Sequence, residues 1–259
     1  MSRVLSRART LIPADLRRLA RTVRSLRGSE PVTGLPRFRR VLVVAPHPDD
    51  ESLGCGGTMA LLADQGASVT VITATDGEAT RGSRVSPEET ARLRRAEAER
   101  AAEVTGVSPR FLGLADGRLS EQMGELTAAL STAIAELEPE AVFAPWLLDG
   151  TLDHRAVADA LGGALATGGA DSRLEVWGYE VWTALIPNRI VDITSVIERK
   201  RAALAAHETA ALALDLSAGE GLGRWRTMHS LGGRGWAEAF LASSPEQYRT
   251  LRAERDYVS

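Results

Sequence analysis

The sequence predicts an α/β fold in which helices cover both faces of a mostly parallel sheet. Short apolar runs of strand length, rich in β-branched residues, alternate with segments of helical periodicity along most of the chain. A helix that connects two neighbouring strands makes a right-handed crossover, which leaves the strands parallel. With 259 residues, 44% of them hydrophobic, the chain is long enough to bury one sizeable core.

The alternation is clearest near the start of the pattern. "RVLVVAP" (40–46) is typical of a buried strand, and a segment of helical periodicity follows it. "SVTVITATDG" (68–77) predicts a second strand. Ser86 followed by Pro87 is typical of a helix start, which predicts a helix over 87–105.

The same alternation continues toward the C-terminus. It predicts, in order, a strand at 110–114, a helix over 120–137, a strand at 141–146, a helix that begins near His154, two strands within 177–200 and a helix over 195–213. Strands joined through helices in this way predict a Rossmann-like sheet. Ligands of such open sheets bind beyond the carboxyl ends of the strands.

Charge and cysteine content exclude several classes of protein. A net charge of -3 and a pI near 5.9 argue against a nucleic-acid-binding protein, which would carry a basic face. Cys55 is the only cysteine, so neither an intramolecular disulfide nor a cysteine-rich zinc motif can form. No apolar stretch approaches the ~20 residues that span a bilayer, and no secretory signal is evident. These observations predict a cytoplasmic protein.

Residues 1–36 differ from the rest of the chain. "LRRLARTVRSLR" (16–27) predicts a basic amphipathic helix, and 28–36 is typical of a linker. Two interpretations stay open: the helix binds an anionic membrane surface, or it packs on the domain with its arginines in solvent. The predicted organisation is therefore an N-terminal segment over 1–36 and one domain over 37–259.

Polar side chains follow four predicted strands. They are His47, Asp49 and Asp50 after the first strand, Asp76 after the second, Asp116 after the third and "DGTLDH" (149–154) after the fourth. Carboxylates crowded together as in "APHPDDESLGCGG" repel one another unless a cation, a proton or water separates them. The pattern predicts a shared polar rim that holds a metal ion.

The residue types at this rim favour a two-histidine, one-carboxylate metal site. His47 and Asp50 are three residues apart in a turn, and His154 is the natural third ligand, which leaves one position for water. Asp49, adjacent to a ligand, is placed to act as general base. Helix capping would explain one of the aspartates but not "HPDDE" as a whole. The glycines at 54–57 do not match a dinucleotide-binding loop; they predict close approach of the helix to the sheet.

"APHPDDE" after a buried strand resembles the signature of the LmbE-like (PIG-L) zinc deacetylases. The resemblance extends from residue 39 to about 242 and includes "RRAEAERAAEVTGV", "FLGLADGRL", "DHRAV" and "WAEAF". It implies that His47, Asp50 and His154 bind Zn²⁺ or another divalent metal and that Asp49 is the base. It also implies hydrolysis of the acetamide of an N-acetylamino sugar, typically of the N-acetylglucosamine type. The basic N-terminal helix favours a sugar carried on a lipid or on a natural-product core.

One position departs from the family pattern. Many relatives have a histidine where this chain has Thr151, and that histidine helps to stabilise the intermediate or to protonate the amine. Asp49, His207 or His229 would then supply the proton. Thr151 also keeps a second hypothesis open, a metal-binding or regulatory module without turnover.

Further residues are candidates for supporting roles. Those proposed to contact substrate are Arg81, Arg94, Asp116, Tyr179 and Glu180, and those proposed to support the metal site are Asp153 and Glu51. Asp153 would orient His154 through its second ring nitrogen or position a neighbour, and Glu51 would fix the turn. The arginines could instead be solvated or paired, His207 could be packed, and Trp177 and Trp182 could lie in the core or in a pocket.

Overall fold

The computed structural model describes residues 31–167, 173–228 and 230–255. The predicted amphipathic helix over 16–27 and His229 lie outside the described residues, and the division at residue 36 stays a prediction. Within the three described ranges, none of the helices combines the length and apolar character needed to cross a membrane.

In the described part of the chain, an eight-stranded sheet forms the centre of the fold. Its strands are β1 (Val32–Thr33), β2 (Arg40–Ala45), β3 (Ser68–Thr75), β4 (Ser108–Leu114), β5 (Ala141–Pro145), β6 (Glu175–Tyr179), β7 (Arg189–Asp192) and β8 (Ala237–Ser243). They lie in the order β1-β7-β8-β6-β5-β2-β3-β4. β8 is antiparallel to β6 and β7, and the other described pairings are parallel. The predicted mostly parallel α/β sheet is confirmed.

Seven α-helices surround this sheet in the described residues. They are α1 (Asp50–Asp64), α2 (Pro87–Thr105), α3 (Met123–Leu137), α4 (Leu152–Thr167), α5 (Ile197–Ala206), α6 (Ala218–Arg226) and α7 (Pro245–Arg255). The predicted start of α2 is confirmed, because the Ser86 side chain accepts a hydrogen bond from the Glu89 amide at 3.2 Å.

The predicted helix over 195–213 is wrong beyond Ala206. The chain leaves the helix at His207 and continues through a short 3₁₀ turn at Ala210–Leu212. The buried carboxylate of Glu97 on α2 accepts hydrogen bonds from both the amide and the hydroxyl of Thr209, at 3.0 and 2.7 Å. These bonds hold the backbone in the turn, and a pattern of local periodicity could not reveal them.

Alternate side chains of β2 point into two cores. Leu42 and Val44 pack with residues of α3 and α4 on one face of the sheet. Val41 and Val43 pack with residues of α1 and α5 on the other. Burial on both faces explains why β2 is a continuous apolar run.

Helix α1 is broken one turn after it begins. Cys55 has a non-helical backbone (φ -144°, ψ 20°), and the helix restarts behind it. The carboxylate of Glu238 on β8 accepts hydrogen bonds from the amides of Gly57 and Thr58 at 2.9 and 2.7 Å, and Lys200 donates to it at 2.5 Å. The charge of Glu238 therefore caps the restarted helix.

Glycines let α1 lie directly against the strands, as the sequence predicts. A Cβ on Gly54 would stand 2.2 Å from the Tyr179 ring, and one on Gly57 would stand 2.7 Å from Ile193. The first turn of α1 and the loop before it are thus held at the carboxyl end of β2, between the ends of β3 and β5.

Candidate active site

Three predicted metal ligands converge at this end of the sheet. One Asp50 carboxylate oxygen, Oδ2, lies 3.1 Å from Nδ1 of His47 and 3.1 Å from Nε2 of His154. The same oxygen accepts a hydrogen bond from the His47 amide at 2.9 Å, which closes the turn around the carboxylate. One ligand atom from each of the three residues lies within 4.8 Å of the others, a spacing that can hold one ion.

The surroundings of His154 fit a metal ligand. The ring is fully buried, and its Nδ1 is 3.1 Å from Oδ2 of Asp149. This carboxylate accepts the Nδ1 proton, so the Nε2 lone pair is directed toward Asp50. Within the described residues Nε2 has no hydrogen-bond partner, although Asp50 Oδ2 lies 3.1 Å away. A cation between His154 Nε2 and Asp50 Oδ2 would give both atoms a partner. The residues present therefore fit a divalent metal.

The pKa values of this cluster show how strongly it attracts positive charge. Burial lowers the pKa of His154, but Asp50 and Asp149 outweigh it and raise the pKa to about 9. Burial raises the pKa of Asp50, but the two imidazoles outweigh it and hold the pKa well below its usual range. Both shifts favour a negatively charged Asp50 beside a positive charge, which is the arrangement that a bound metal ion would provide.

Asp153 does not orient His154, which corrects one of the two predictions for it. Asp149 orients His154 instead. The sequence predicted Asp149 only as part of the polar rim. Asp153 instead lies 3.2 Å from Nε2 of His47 and accepts hydrogen bonds from the amides of Gly117 and Leu119 at 2.7 and 3.1 Å. It therefore positions a neighbour, His47, together with the loop after β4.

Asp116 contacts the same nitrogen of His47. Its Oδ1 lies 3.1 Å from Nε2, so His47, Asp116 and Asp153 form a second group with metal-ligand spacing. Asp116 also lines the cavity above the site, and its other oxygen accepts a hydrogen bond from the Ala79 amide at 3.2 Å. Its predicted contact with substrate stays a proposal.

The candidate base Asp49 has a strained backbone. Its φ of 146° is unusual for a residue with a side chain, so the surrounding structure must hold it there. Glu51 Oε2 accepts a hydrogen bond from the Asp49 amide at 3.2 Å, and Arg94 lies 3.1 Å from the Asp49 carboxylate. Burial raises the pKa of Asp49 to about 6, although Arg94 opposes the shift. Such a pKa suits a general base near neutral pH.

The comparisons with known proteins agree with this geometry. A family model described as "PIG-L: GlcNAc-PI de-N-acetylase" matches residues 42–165. Diacetylchitobiose deacetylase of Thermococcus kodakarensis is 32% identical over 189 residues, covering 66% of this chain and 70% of the relative. The chain belongs to the PIG-L family.

Two further PIG-L relatives are informative. The 1D-myo-inositol 2-acetamido-2-deoxy-alpha-D-glucopyranoside deacetylase of Kineococcus radiotolerans is 31% identical over 212 residues, covering 68% of this chain and 54% of that protein. The solved structure of N,N'-diacetylchitobiose deacetylase from Pyrococcus horikoshii has a TM-score of 0.70 and 26% identity, covering 82% of this chain and 86% of that one. These relatives are deacetylases, hydrolases that act on N-acetyl amide bonds.

In this PIG-L chain Arg94 forms an ion pair with Asp49, the candidate base. Arg94 lines the cavity, and its buried guanidinium donates to the Pro48 carbonyl at 2.5 Å and to the Thr80 hydroxyl at 2.8 Å, besides pairing with Asp49. Its predicted contact with substrate stays a proposal. Arg94 lies on the inner face of α2, which explains its burial. Arg81 is exposed and lines the cavity, so it stays a candidate for substrate contact.

The predictions for Tyr179 and Glu180 are wrong. Tyr179 is fully buried beneath Gly54 and donates its hydroxyl proton to the Val44 carbonyl at 2.8 Å. Glu180 is buried in an ion pair with Arg226 and accepts a hydrogen bond from the Leu185 amide at 2.7 Å. The two residues are buried by other elements: Gly54 of α1 lies over the Tyr179 ring, and Arg226 at the end of α6 pairs with Glu180. Both contacts join distant parts of the chain.

Tyr179→Phe tests this correction. We expect the free energy of unfolding to fall by about 1 kcal/mol, because a buried carbonyl loses its donor. The kcat and KM for acetate release should stay within a factor of two of wild type. Urea denaturation and steady-state kinetics measure the two effects, and a selective rise in KM would restore Tyr179 to the substrate site.

Trp177 and Trp182 lie in different surroundings, and Thr151 and His207 have structural contacts. Trp177 is fully buried in the core, whereas the Trp182 side chain is 54% exposed and lines the cavity. Thr151 accepts a hydrogen bond from the His154 amide at 3.2 Å and so caps α4. His207 is packed, as one of the two interpretations held: it is fully buried, and its Nε2 lies 3.1 Å from the Ser52 hydroxyl and 3.4 Å from Glu51.

Glu51 therefore links a buried histidine to the backbone of the base. This contact fits the predicted role of Glu51 in fixing the turn.

We expect Glu51→Leu to lower kcat about tenfold to a hundredfold, because the Asp49 amide loses the hydrogen bond that holds its backbone. Metal content and KM should change little. Glu51→Gln keeps a carbonyl oxygen as acceptor and should recover most of the activity. Wild-type kcat for Glu51→Leu would show that the restraint is unimportant.

Proposed function

We propose that this chain is a metal-dependent hydrolase that removes the N-acetyl group from an N-acetylamino sugar of the N-acetylglucosamine type. The products are acetate and a free amine. The observation that carries the proposal is the convergence of His47, Asp50 and His154 beside Asp49, at the base of a cavity of about 540 Å³. The deacetylase relatives support the reaction class.

His47, Asp50 and His154 would hold the metal ion. Two imidazoles and one carboxylate form a donor set typical of catalytic zinc, which supports zinc as the native metal. The bound ion would polarise the acetyl carbonyl and make water a stronger nucleophile near neutral pH. Asp149 and Asp153 orient the two histidines and so fix the direction of the ligand atoms.

Asp49 performs the proton transfers. As water attacks the acetyl carbon, the Asp49 carboxylate accepts one of its protons. The carbon–nitrogen bond then breaks, and Asp49 returns that proton to the leaving amine. Thr151 caps α4 and has no acidic group, and His207 faces Ser52 and Glu51 in the protein interior. These positions support Asp49 as both base and acid.

The proposal extends to the group that the sugar carries and to the binding partner of residues 1–36. A lipid or a natural-product core would carry the sugar, and residues 1–36 would contact an anionic membrane. Flotation of the chain on anionic vesicles, with and without residues 1–36, tests the second point. Binding that does not depend on the segment would contradict it.

The second candidate, a metal-binding or regulatory module without turnover, is favoured only by Thr151. Acetate release separates the two. We expect the purified chain to release acetate and amine in equal amounts from N-acetylglucosamine or diacetylchitobiose, to lose this activity after chelation and to regain it with zinc. A chain that binds metal but releases no acetate from any glycoside tested would support the module instead.

A further inference from the structure

The cavity above the candidate metal site is larger than the reacting group needs. Its volume of about 540 Å³ lies in the range of pockets that enclose whole drug-sized ligands. His47, Asp49 and Asp50 line the reacting end and are used by the chemistry. The rest of the cavity must therefore receive the sugar and whatever the sugar carries.

One side of this cavity is apolar. It is lined by four residues, which we call the apolar wall: Leu53, Ala210, Ala213 and Leu214. The first comes from α1, and the other three come from the turn that follows α5. The wall joins residues more than 150 positions apart in sequence, so periodicity alone could not predict it.

The apolar wall is backed by a small core. Leu53 and Leu214 pack against the buried cluster of Leu204, Ala210 and Leu216. The Lys200 ammonium also donates to the Leu53 carbonyl at 2.7 Å. The wall is therefore a fixed surface, and a ligand can bury against it without ordering a loop.

A polar group would be poorly served at this wall. Arg94, a buried cation of the cavity, already binds Pro48, Asp49 and Thr80, and Arg81, which also lines the cavity, is exposed and outside the apolar wall. Hydroxyl groups pressed against leucine and alanine side chains would lose their bonds to water without replacement. An apolar group would gain from the same burial.

The other apolar surface of the cavity is Trp182. Its indole is 54% exposed, yet its backbone amide is anchored 3.1 Å from the Asp149 carboxylate that also orients His154. The Trp182 backbone is thus tied to the carboxylate beside the metal site, while much of the residue stays exposed in the cavity. An exposed aromatic ring of this kind is suited to stacking on a sugar.

We propose that the apolar wall binds the aglycone of the substrate, and that this aglycone is an apolar alkyl or aryl group attached to the N-acetylamino sugar. The inference rests on the proposed function, because it uses the metal site to set the position of the acetyl group. It predicts that the chain prefers amphiphilic glycosides to sugars with small or polar aglycones.

The test compares hexyl and methyl N-acetylglucosaminides of both anomeric forms. Calorimetry on Asp49→Asn measures binding without turnover, and the dissociation constant for one hexyl glycoside should be at least about tenfold lower than for its methyl counterpart. Wild-type kcat/KM should show the same preference. Leu214→Ser, and Ala213→Ser as a milder second variant, should reduce the preference severalfold while methyl glycoside kinetics change little.

Leu212→Ser is the matched control. Leu212 belongs to the same turn and is 62% exposed, but it lies outside the cavity lining. This variant should keep the full hexyl preference. Equal loss in Leu212→Ser and Leu214→Ser would overturn the inference.

The outcomes also separate this inference from the proposed function. Acetate release with equal kcat/KM for hexyl and methyl glycosides would overturn the aglycone assignment and leave the deacetylase proposal intact. Tight, wall-dependent binding of the hexyl glycoside without acetate release would support the wall and contradict the deacetylase proposal.

Discussion

Replacing Asp49 with asparagine is expected to lower kcat at least about a hundredfold, the usual contribution of a positioned general acid–base group. The amide has nearly the same shape as the carboxylate but cannot accept a proton from water. Asp49 is not among the three converging ligands, so the metal content of the variant should match wild type. Acetate release at saturating substrate and metal analysis of the same sample measure both quantities.

Asp64→Asn is the control for this substitution. Asp64 lies at the far end of α1, where it forms a surface ion pair with Arg199 at 2.7 Å. Surface pairs contribute little, so this variant should keep wild-type kcat. The base assignment would be wrong if Asp49→Asn retained turnover within a few-fold of wild type.

His154→Ala is expected to weaken metal binding more than the substitution of a residue that only orients a ligand. The substitution removes one of the three donor groups, and activity should be lost together with the metal. Asp149→Asn removes only the group that orients His154, so metal affinity should fall about tenfold to a hundredfold. Competition with a chromophoric chelator measures both dissociation constants.

His207→Gln is the matched control, since His207 is another fully buried histidine. Its ring contacts Ser52 and Glu51 and lies outside the three-ligand group, so metal affinity should stay close to wild type. Equal losses for His154→Ala and His207→Gln would mean that the substitutions act through general destabilisation.

The metal cluster could be predicted from sequence because each of its parts leaves a local signal. His47 and Asp50 are fixed by one turn. "DGTLDH" follows β5, which is a neighbour of β2 in the sheet. The choice between Asp149 and Asp153 as partner of His154 could not be predicted. Both carboxylates lie within five residues of His154, and only the path of the loop decides which one reaches Nδ1.

The errors concern contacts between distant segments. Tyr179 and Glu180 stand at the end of a strand, where sequence alone does not show that Gly54 of α1 lies over the Tyr179 ring or that Arg226 of α6 pairs with Glu180. The break at His207 depends on Glu97, 112 residues away from its partner Thr209. Arg94 has a charge typical of an exposed helix face, but the buried pair with Asp49 depends on how α2 packs over the loop after β2.

The most direct test of the metal site is anomalous diffraction at the zinc edge from crystals of the full chain grown with zinc. One peak is expected between Nε2 of His154, the Asp50 carboxylate and the imidazole of His47. A peak only at the group of His47, Asp116 and Asp153, or none in either place, would contradict the assignment.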